Sequence, residues 1–498
     1  MEAMATAISP QDSKISRMKL VRVHNLILIF IVGLAAFLRL HRISEYMTFL
    51  GDEGRDVLIV KHLLEGDLVG LGPTASVGGF FTGPIYYYFM APFLLLFNYN
   101  PVGPAVMVAL FGIAAVFLVY WIGKEFFNEK AGLFAAALYA VSPLVIAYSR
   151  SSWNPNPLPF FSLLTMFFAY KSFQKKSLKY LFVAGISLGI ALQLHYIATF
   201  LASALLFYLL LMQYPKWKSL LRHYITLFLG FLVGYSPFLA FEATHGFPNT
   251  ITVAKFIFGS TGETGFAGGQ FTTIVGDVFF RIFGRLLTRF PPPEQITVGK
   301  DALPITLYGG EINLQLSFLY IVTMLLALGG LVLLVRQMLA AHKKENVRFQ
   351  AYSLLLIWFG IGILLFGFYK KPIYDYYFAF LFPLPFLFVG NVFAFLFDSY
   401  KYIGKVASIA IFVGLFLINF DGMPFRYASN RQFEQVREIS KFVLEKTEGK
   451  PFNFALITGG NSDHAYRYFF ELEGNPPVTI ENEMNDPERK MVKEQLLI

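Results

Sequence analysis

Cysteine is absent from all 498 residues of the chain. That removes thiol nucleophiles, thiolate metal sites and disulfides from the chemistry open to it. Charge is sparse as well: Asp, Glu, Lys and Arg make up 15% of the residues, against about 25% in soluble domains. No Walker loop, zinc-protease helix or GxSxG elbow occurs, so no motif supports a soluble hydrolase or nucleotide enzyme. No tandem repeat is visible. A cleavable signal peptide is not expected either: the polar start through Ser16 has no apolar core, and no small-residue cleavage site follows the run from Asn25 to Leu40. What fills the chain is apolar, 56% of it, with 57 Phe and 27 Tyr. Its long runs suffice to cross a hydrocarbon core of about 30 Å, so the chain reads as multi-pass and integral to the cell (plasma) membrane. A formal charge of +9 would suit a nucleic-acid binder, but the basic residues lie in loops between apolar runs. That is the positive-inside bias of a membrane protein, and no nucleic-acid partner is expected.

Eleven runs read as spans: 24–41, 103–123, 131–148, 157–171, 180–196, 198–213, 223–241, 313–335, 350–369, 374–397 and 405–420. A further run, Pro84 to Phe97, is too short to cross and suits a re-entrant or interfacial segment. Charge supports leaving it at the outer surface. Lys124, Lys130, Lys171, Lys175, Lys176, Lys179, Lys216, Lys218 and Arg222 then all face the cytoplasm, and the short outer loops keep only Arg150, Lys370 and Lys371. The fold class is thus an all-α polytopic membrane protein with a small α/β extracytoplasmic C-terminal appendage. Its parts are a cytoplasmic segment 1–22, a transmembrane domain 23–420 with outer loops at about 42–102 and 242–312, and the appendage 421–498. Within the second outer loop, 251–258 and 274–290 read as surface-lying helices, with Arg281, Arg285 and Arg289 forming one basic face. In the tail, a helical pattern covers 431–446, a strand-like run 452–458 and a second helix 464–472. The closing Glu-Gln-Leu-Leu-Ile is able to start another strand.

The run LGDEGRDV, Leu50 to Val57, sits just past the first span. Acidic residues are costly there unless solvated, capped or functional. One reading of Asp52 and Glu53 is helix capping ahead of the apolar pattern VLIVKHLL. The other is a half-buried carboxylate serving as a general base, and the two are compatible. Arg150, in the outer turn AYSRSSWNPNP, is either an interfacial anchor beside Trp153 or a bidentate phosphate clamp. Lys370 and Lys371, in YKKPIYDYYFAFLFPLP, either snorkel or supply point charges to a phosphate. His195, beside Gln193 and Tyr196, and the tyrosines Tyr86 and Tyr374 complete the candidates for donor or acceptor contacts.

Several of these segments, taken in order, carry a resemblance. They are an N-in first span, the Asp-Glu pair, the GP-IYYY segment, the inner turn GKEFFNEKAGLFAAAL leading into SPLVIAYSR, and KKPIYDYYFAFLFPLP. Over roughly residues 20–420 the chain resembles the polyprenyl-phosphate-dependent glycosyltransferases of the C-type fold, the family containing protein O-mannosyltransferases and the aminoarabinose transferase of lipid A. The resemblance implies a polyprenyl-phosphate-linked sugar as donor. It implies a lipid, glycan or protein acceptor on the outer face, membrane lipids as surroundings, Asp52 with Glu53 as the reactive acids, and Arg150 with Lys371 on the donor phosphate. Two departures stand out. Thr82-Gly83-Pro84 replaces the His-Pro-Pro of many relatives, and Trp-Asn-Pro-Asn-Pro follows the Ser-Arg turn without the acidic residue some relatives place there.

The chemistry is self-consistent. A lipid-bound donor demands an enzyme made of spans, its phosphate demands outer-face cations, and the acceptor hydroxyl demands a base. A single displacement inverts the anomeric carbon. No organic cofactor and no protein metal site are expected, while a requirement for a divalent cation stays open. The alternatives are a membrane transporter or lipid-linked-sugar flippase, and a non-catalytic scaffold. A transporter would place polar breaks near the midplane, whereas the ionisable residues here cluster at span ends.

Overall fold

The computed structural model describes residues 10–75, 78–258, 270–292, 314–343, 346–478 and 495–497. The chain begins with α1 (Pro10–Leu40), a single turn α2 (Ile43–Tyr46), α3 (Gly51–Glu65) and α4 (Ile85–Leu96). Seven helices follow: α5 (Val102–Phe126), α6 (Glu129–Ala140), α7 (Pro143–Tyr148), α8 (Leu158–Gln174), α9 (Leu178–Leu194), α10 (Ala198–Gln213) and α11 (Trp217–Thr244). Next come α12 (Pro248–Phe258), α13 (Phe271–Leu287), α14 (Leu314–Ala341), α15 (Val347–Leu364), α16 (Pro383–Ser399) and α17 (Lys401–Phe420). Two 3-10 turns, Leu365–Phe368 and Asp375–Leu381, separate α15 from α16. The tail supplies α18 (Gln432–Thr447), β1 (Asn453–Ala455), α19 (His464–Leu472) and β2 (Gln495–Leu497). The two strands pair in parallel, Phe454 opposite Leu496.

All eleven apolar runs are helical, but they are not equally long. Among the described residues, α1, α5, α11, α14, α15 and α17 are long and apolar enough to cross a membrane. A seventh span results if the turn Asp375–Leu381 and α16, bent by 57°, are counted as one. Helices of 16 or 17 residues, such as α8, α9 and α10, reach only about 25 Å at about 1.5 Å per residue. α6 and α7 are parted at Ser142, which is extended ahead of Pro143, because proline disfavours helical backbone in the residue before it. These helices make an integral membrane protein of several spans. α4, with 12 residues, is too short to cross alone.

One expectation is corrected. α13 is no surface helix with a basic face: Val278, Ile282, Phe283, Leu286 and Leu287 are all buried, and so is Arg281. Arg281 and Arg285 turn inward because Asp375 is there to receive them, while Arg289 is exposed. The Gly-, Thr- and Pro-containing stretches 259–269 and 293–313 of the expected outer loop lie outside the described residues.

Packing is driven by close backbone approach as well as by apolar burial. Gly185 and Gly189 of α9 face Gly230 and Gly234 of α11, and a Cβ at any of the four would collide with the opposite backbone. This is the paired small-xxx-small arrangement that lets helices meet without a hydrophobic driving force. It brings Gln193 within 2.7 Å of the Gly234 carbonyl, to which its amide donates. At one end of the bundle, Lys171 pairs with Glu125, Lys124 with Glu129 and Lys130 with Asp398. The other end gathers the turns after α1, α7 and α17: Thr48 N–H donates to Ser151, and Tyr46 Oη to the Tyr427 carbonyl. The residues expected on the cytoplasmic side thus cluster apart from those expected outside.

Candidate functional site

α3 begins on a pair of acids with separate jobs. Glu53 is buried and accepts from the Leu50 N–H at 3.0 Å and from the Thr48 hydroxyl. It is the capping residue, satisfying a donor that the helix start leaves orphaned, and burial pushes its carboxyl above the ordinary range. Placing Glu53 among the reactive acids is therefore corrected: its oxygens face backbone and Thr48. Asp52 is the opposite case. Its side chain is 59% exposed and lies 3.0 Å from Arg55. Solvent and a guanidinium, rather than the burial expected for a base, surround it. Arg55 also holds Asp56 at 2.8 Å, which is completely buried and accepts from Tyr87 Oη at 3.2 Å. Burial, opposed by Arg55, pushes the Asp56 carboxyl up to about 7.

Asp52 and Arg55 form one wall of a cavity of about 220 Å³. A ribbon joined by the Thr74–Phe81 bridge forms a second wall through Thr74, Phe80 and Thr82. The ribbon is held by Tyr196 Oη on the Phe81 carbonyl and by Asn249 Oδ1 accepting from the Phe81 N–H. The remaining wall is aromatic: Trp153, His195, Tyr369, Tyr376 and Tyr377. Trp153 meets Tyr376 edge-on at 4.6 Å, and His195 lies 5.8 Å from Tyr376 and 5.6 Å from Tyr377. His195 Nδ1 accepts from the Ile197 N–H at 3.1 Å, which assigns the neutral ring's proton to Nε2 and leaves that nitrogen a donor. An acid–cation pair facing aromatic rings suits a ligand that is polar at one end and apolar along its faces. Among the described residues no three His, Asp or Glu side chains gather as a metal site.

Of the residues singled out from sequence, Asp52 and His195 line this cavity together. Arg150 does not. It is 1% exposed, and its guanidinium donates to the carbonyls of Leu38 and His41, each at 2.6 Å, while stacking over Tyr46. It is spent on the open carbonyls at the end of α1, so the phosphate clamp expected of it is corrected. Tyr86 is also fully buried, its hydroxyl 2.7 Å from Ser152, and is corrected from ligand contact to packing. Lys370, Lys371 and Tyr374 are exposed, on the segment whose Tyr369, Tyr376 and Tyr377 face the cavity.

Sequence reading missed Arg55, Trp153, Tyr376 and Tyr377 as lining residues. It also missed the group that holds the aromatic segment. Asp375 accepts from Arg281 at 2.8 Å and Arg285 at 2.6 Å, and Arg281 reaches the Ile373 carbonyl at 2.9 Å. A lone aspartate inside the aromatic run YDYYFAF was the available signal, since such a buried acid requires a cation.

Comparison with known proteins bears on the fold. The family described as dolichyl-phosphate-mannose-protein mannosyltransferase matches residues 82–241. ArnT from Cupriavidus metallidurans, bound to undecaprenyl phosphate, superposes with a TM-score of 0.60 at 12% identity over 95% of this chain and 89% of that one. The chain has the fold of the C-type membrane glycosyltransferases. The oligosaccharyltransferase AglB from Archaeoglobus fulgidus, in complex with an inhibitory peptide and a dolichol-phosphate, gives 0.56 at 14% identity. The match takes in 93% of this chain but only 66% of AglB, so the chain spans about two thirds of the archaeal enzyme's length. A structure of an Archaeoglobus fulgidus oligosaccharyltransferase tethered with an acceptor peptide gives 0.52 at 13% identity over 93% and 65% of the two chains. No curated protein matches the chain in sequence. In the C-type fold the resemblance drawn from LGDEGRDV and its companions is upheld. The family match starts at Thr82, after α3, so it leaves the acid pair to be judged on geometry.

Proposed function

We propose that the chain is an integral-membrane glycosyltransferase that moves a sugar from a polyprenyl-phosphate donor to a hydroxyl of a lipid, glycan or protein on the extracytoplasmic face. The observation that carries this reading is an accessible carboxylate, Asp52, paired with Arg55 and opening into an aromatic-walled cavity of this fold. Asp52 takes the acceptor proton as the acceptor oxygen bonds to the anomeric carbon. The bond from that carbon to the phosphate oxygen breaks on the opposite face, and the polyprenyl phosphate leaves with the electron pair. The product is inverted. Developing phosphate charge is met by cations at the rim, for which Arg55 and the exposed Lys371 and Lys370 are placed, with His195 Nε2 as a neutral donor.

The topology belongs to the same reading. α19 packs on α3, with His62 Nε2 2.8 Å from Glu471, so both lie on one side of the membrane. An even number of crossings must then separate Glu65 from Asp421. Eleven spans satisfy this, ten of them falling in that interval, and counting Pro84 to Phe97 as a twelfth would not. That supports an outer site beside α3 and α19, with residues 421–498 as an extracytoplasmic α/β appendage.

The test is transfer by purified protein in nanodiscs from radiolabelled polyprenyl-phosphate sugars to membrane acceptors. Product is expected from the wild type and not from Asp52→Asn, since removing a general base costs about 10²- to 10⁴-fold. The Asn variant should keep its unfolding temperature, because Glu53 rather than Asp52 caps α3. Translocation of the donor without any glycosylated product would replace this reading with a flippase.

A further inference from the structure

The loop carrying Asp52 is not held by the membrane helices alone; the C-terminal tail grips it from both sides. Ahead of it, Phe49 is fully buried among Phe433 at 5.6 Å, Phe469 at 5.9 Å and Tyr468 at 6.5 Å. Tyr468 Oη in turn donates to the Tyr99 carbonyl. At the helix start, Asn461 Oδ1 accepts from the Gly51 N–H at 2.8 Å and from its own neighbour Ser462 N–H at 3.0 Å. Gly51 is the residue directly before Asp52, and its N–H is one that a helix start leaves without an internal partner. One turn on, a Cβ at Gly54 would collide with the backbone nitrogen and Cα of Ala465. Only glycine lets α19 come this near to α3. At the far end, Glu471 lies 2.8 Å from His62 and 3.8 Å from Lys61.

A domain that merely decorated the outer face would not need to add its own side chain, on the Gly51 N–H, to the Glu53 cap of the reactive helix. We propose that the tail is a clamp in cis that fixes α3 in register with the cavity, and that Asn461 is the positioning residue setting the orientation of Asp52. This rests on the reading of Asp52 as the base. Asn461 touches no reacting atom. It acts by immobilising the peptide from which Asp52 projects, so that the carboxylate meets the acceptor at working distance. Misplacement of a reacting group by about 1 Å can cost 10²-fold in rate.

The experiment compares the wild type with Asn461→Leu and Asn461→Asp in nanodiscs. It measures transfer kinetics, unfolding temperature, and hydrogen exchange at the amides of residues 51–54. Asn461→Leu is expected to lower kcat about 10- to 100-fold beyond any loss of folded fraction, with donor KM little changed and a small fall in unfolding temperature, while the α3 amides exchange faster. Asn461→Asp keeps the acceptor oxygen and puts its charge at a helix start, where it is favoured. It should restore most of kcat and move the acid limb of the pH–rate profile upward, as a like charge near Asp52 requires. Wild-type kcat in Asn461→Leu despite lost amide protection would overturn the proposal. So would a loss of activity that only tracks the folded fraction and is not rescued by Asn461→Asp. If the wild type transfers no sugar at all, the reading of function fails by itself. Unchanged exchange in Asn461→Leu would then dispose of the clamp separately, and faster exchange would uphold it.

Discussion

At the scale of single residues, an ionisable side chain in this protein is defined by what surrounds it more than by its place in the sequence. Arg150 looks like a free cation in an outer turn, yet both its terminal nitrogens are taken by backbone carbonyls. Arg150→Ala would leave buried acceptors unsatisfied, at about 1–3 kcal/mol each. The expected outcome is a lower unfolding temperature with unchanged donor affinity in the folded fraction, read by thermal unfolding beside a donor-binding titration. Asp56 carries a second consequence. A carboxyl whose pKa is higher in the folded than in the unfolded chain makes the folded state hold more protons. Its contribution to stability is complete below the unfolded value of 3.8 and is lost as pH rises through about 7. Unfolding temperature should therefore fall between about pH 4 and pH 7, and Asp56→Asn should flatten that slope. Asp52 itself was legible, because an acid just past a first span stands out. Its division of labour with Glu53 was not, because which of two adjacent carboxylates turns inward depends on where Thr48 and the Leu50 N–H lie.

Elements show the same contrast between pattern and partner. Apolar runs placed the helices well, while their lengths and breaks depend on local devices such as Ser142-Pro143 and the 57° bend before α16. The glycine pairs of α9 and α11 lie four residues apart in each helix, a spacing present in the sequence whose partner was not. The segment between α15 and α16 is held by Asp375 between two arginines of α13, all three largely buried. Breaking a buried ion pair by removing one partner costs about 3–5 kcal/mol, because the charge left behind is uncompensated. Asp375→Asn should thus loosen the aromatic wall and reduce both stability and transfer. Trp153, packed at 4.6 Å on Tyr376, reports the change: its emission should shift at temperatures below global unfolding. An unshifted spectrum with normal turnover would mean that the wall does not depend on this pair.

For the whole molecule the question is sidedness, and the Cys-free chain makes it testable. Asn98 and Lys175 are both exposed. Asn98→Cys should react with an impermeant thiol reagent added to intact cells, and Lys175→Cys should react only after permeabilisation. Labelling of position 175 from outside would overturn the eleven-span arrangement. The contact of α19 with α3 adds one condition, an even number of crossings between them, since two elements that touch in water cannot lie on opposite leaflets.

Hydrophobic run length and the placement of Lys and Arg determined, without any coordinates, that this is a multi-pass helical protein with its acid motif in the first loop after a span. Both are one-dimensional properties: a bilayer sorts a chain by local hydropathy and local charge. The tertiary structure alone decided which cations are spent. Arg150 closes α1, Arg281 and Arg285 serve Asp375, and Arg55 holds Asp52 and Asp56 on the cavity wall. It alone showed that residues from Asn461 onward come back to cap the helix that begins at Gly51. Those partners are about 400 positions apart in sequence, and no periodicity carries a pairing over such a separation. It is selected only when burial makes every unsatisfied charge and backbone group costly.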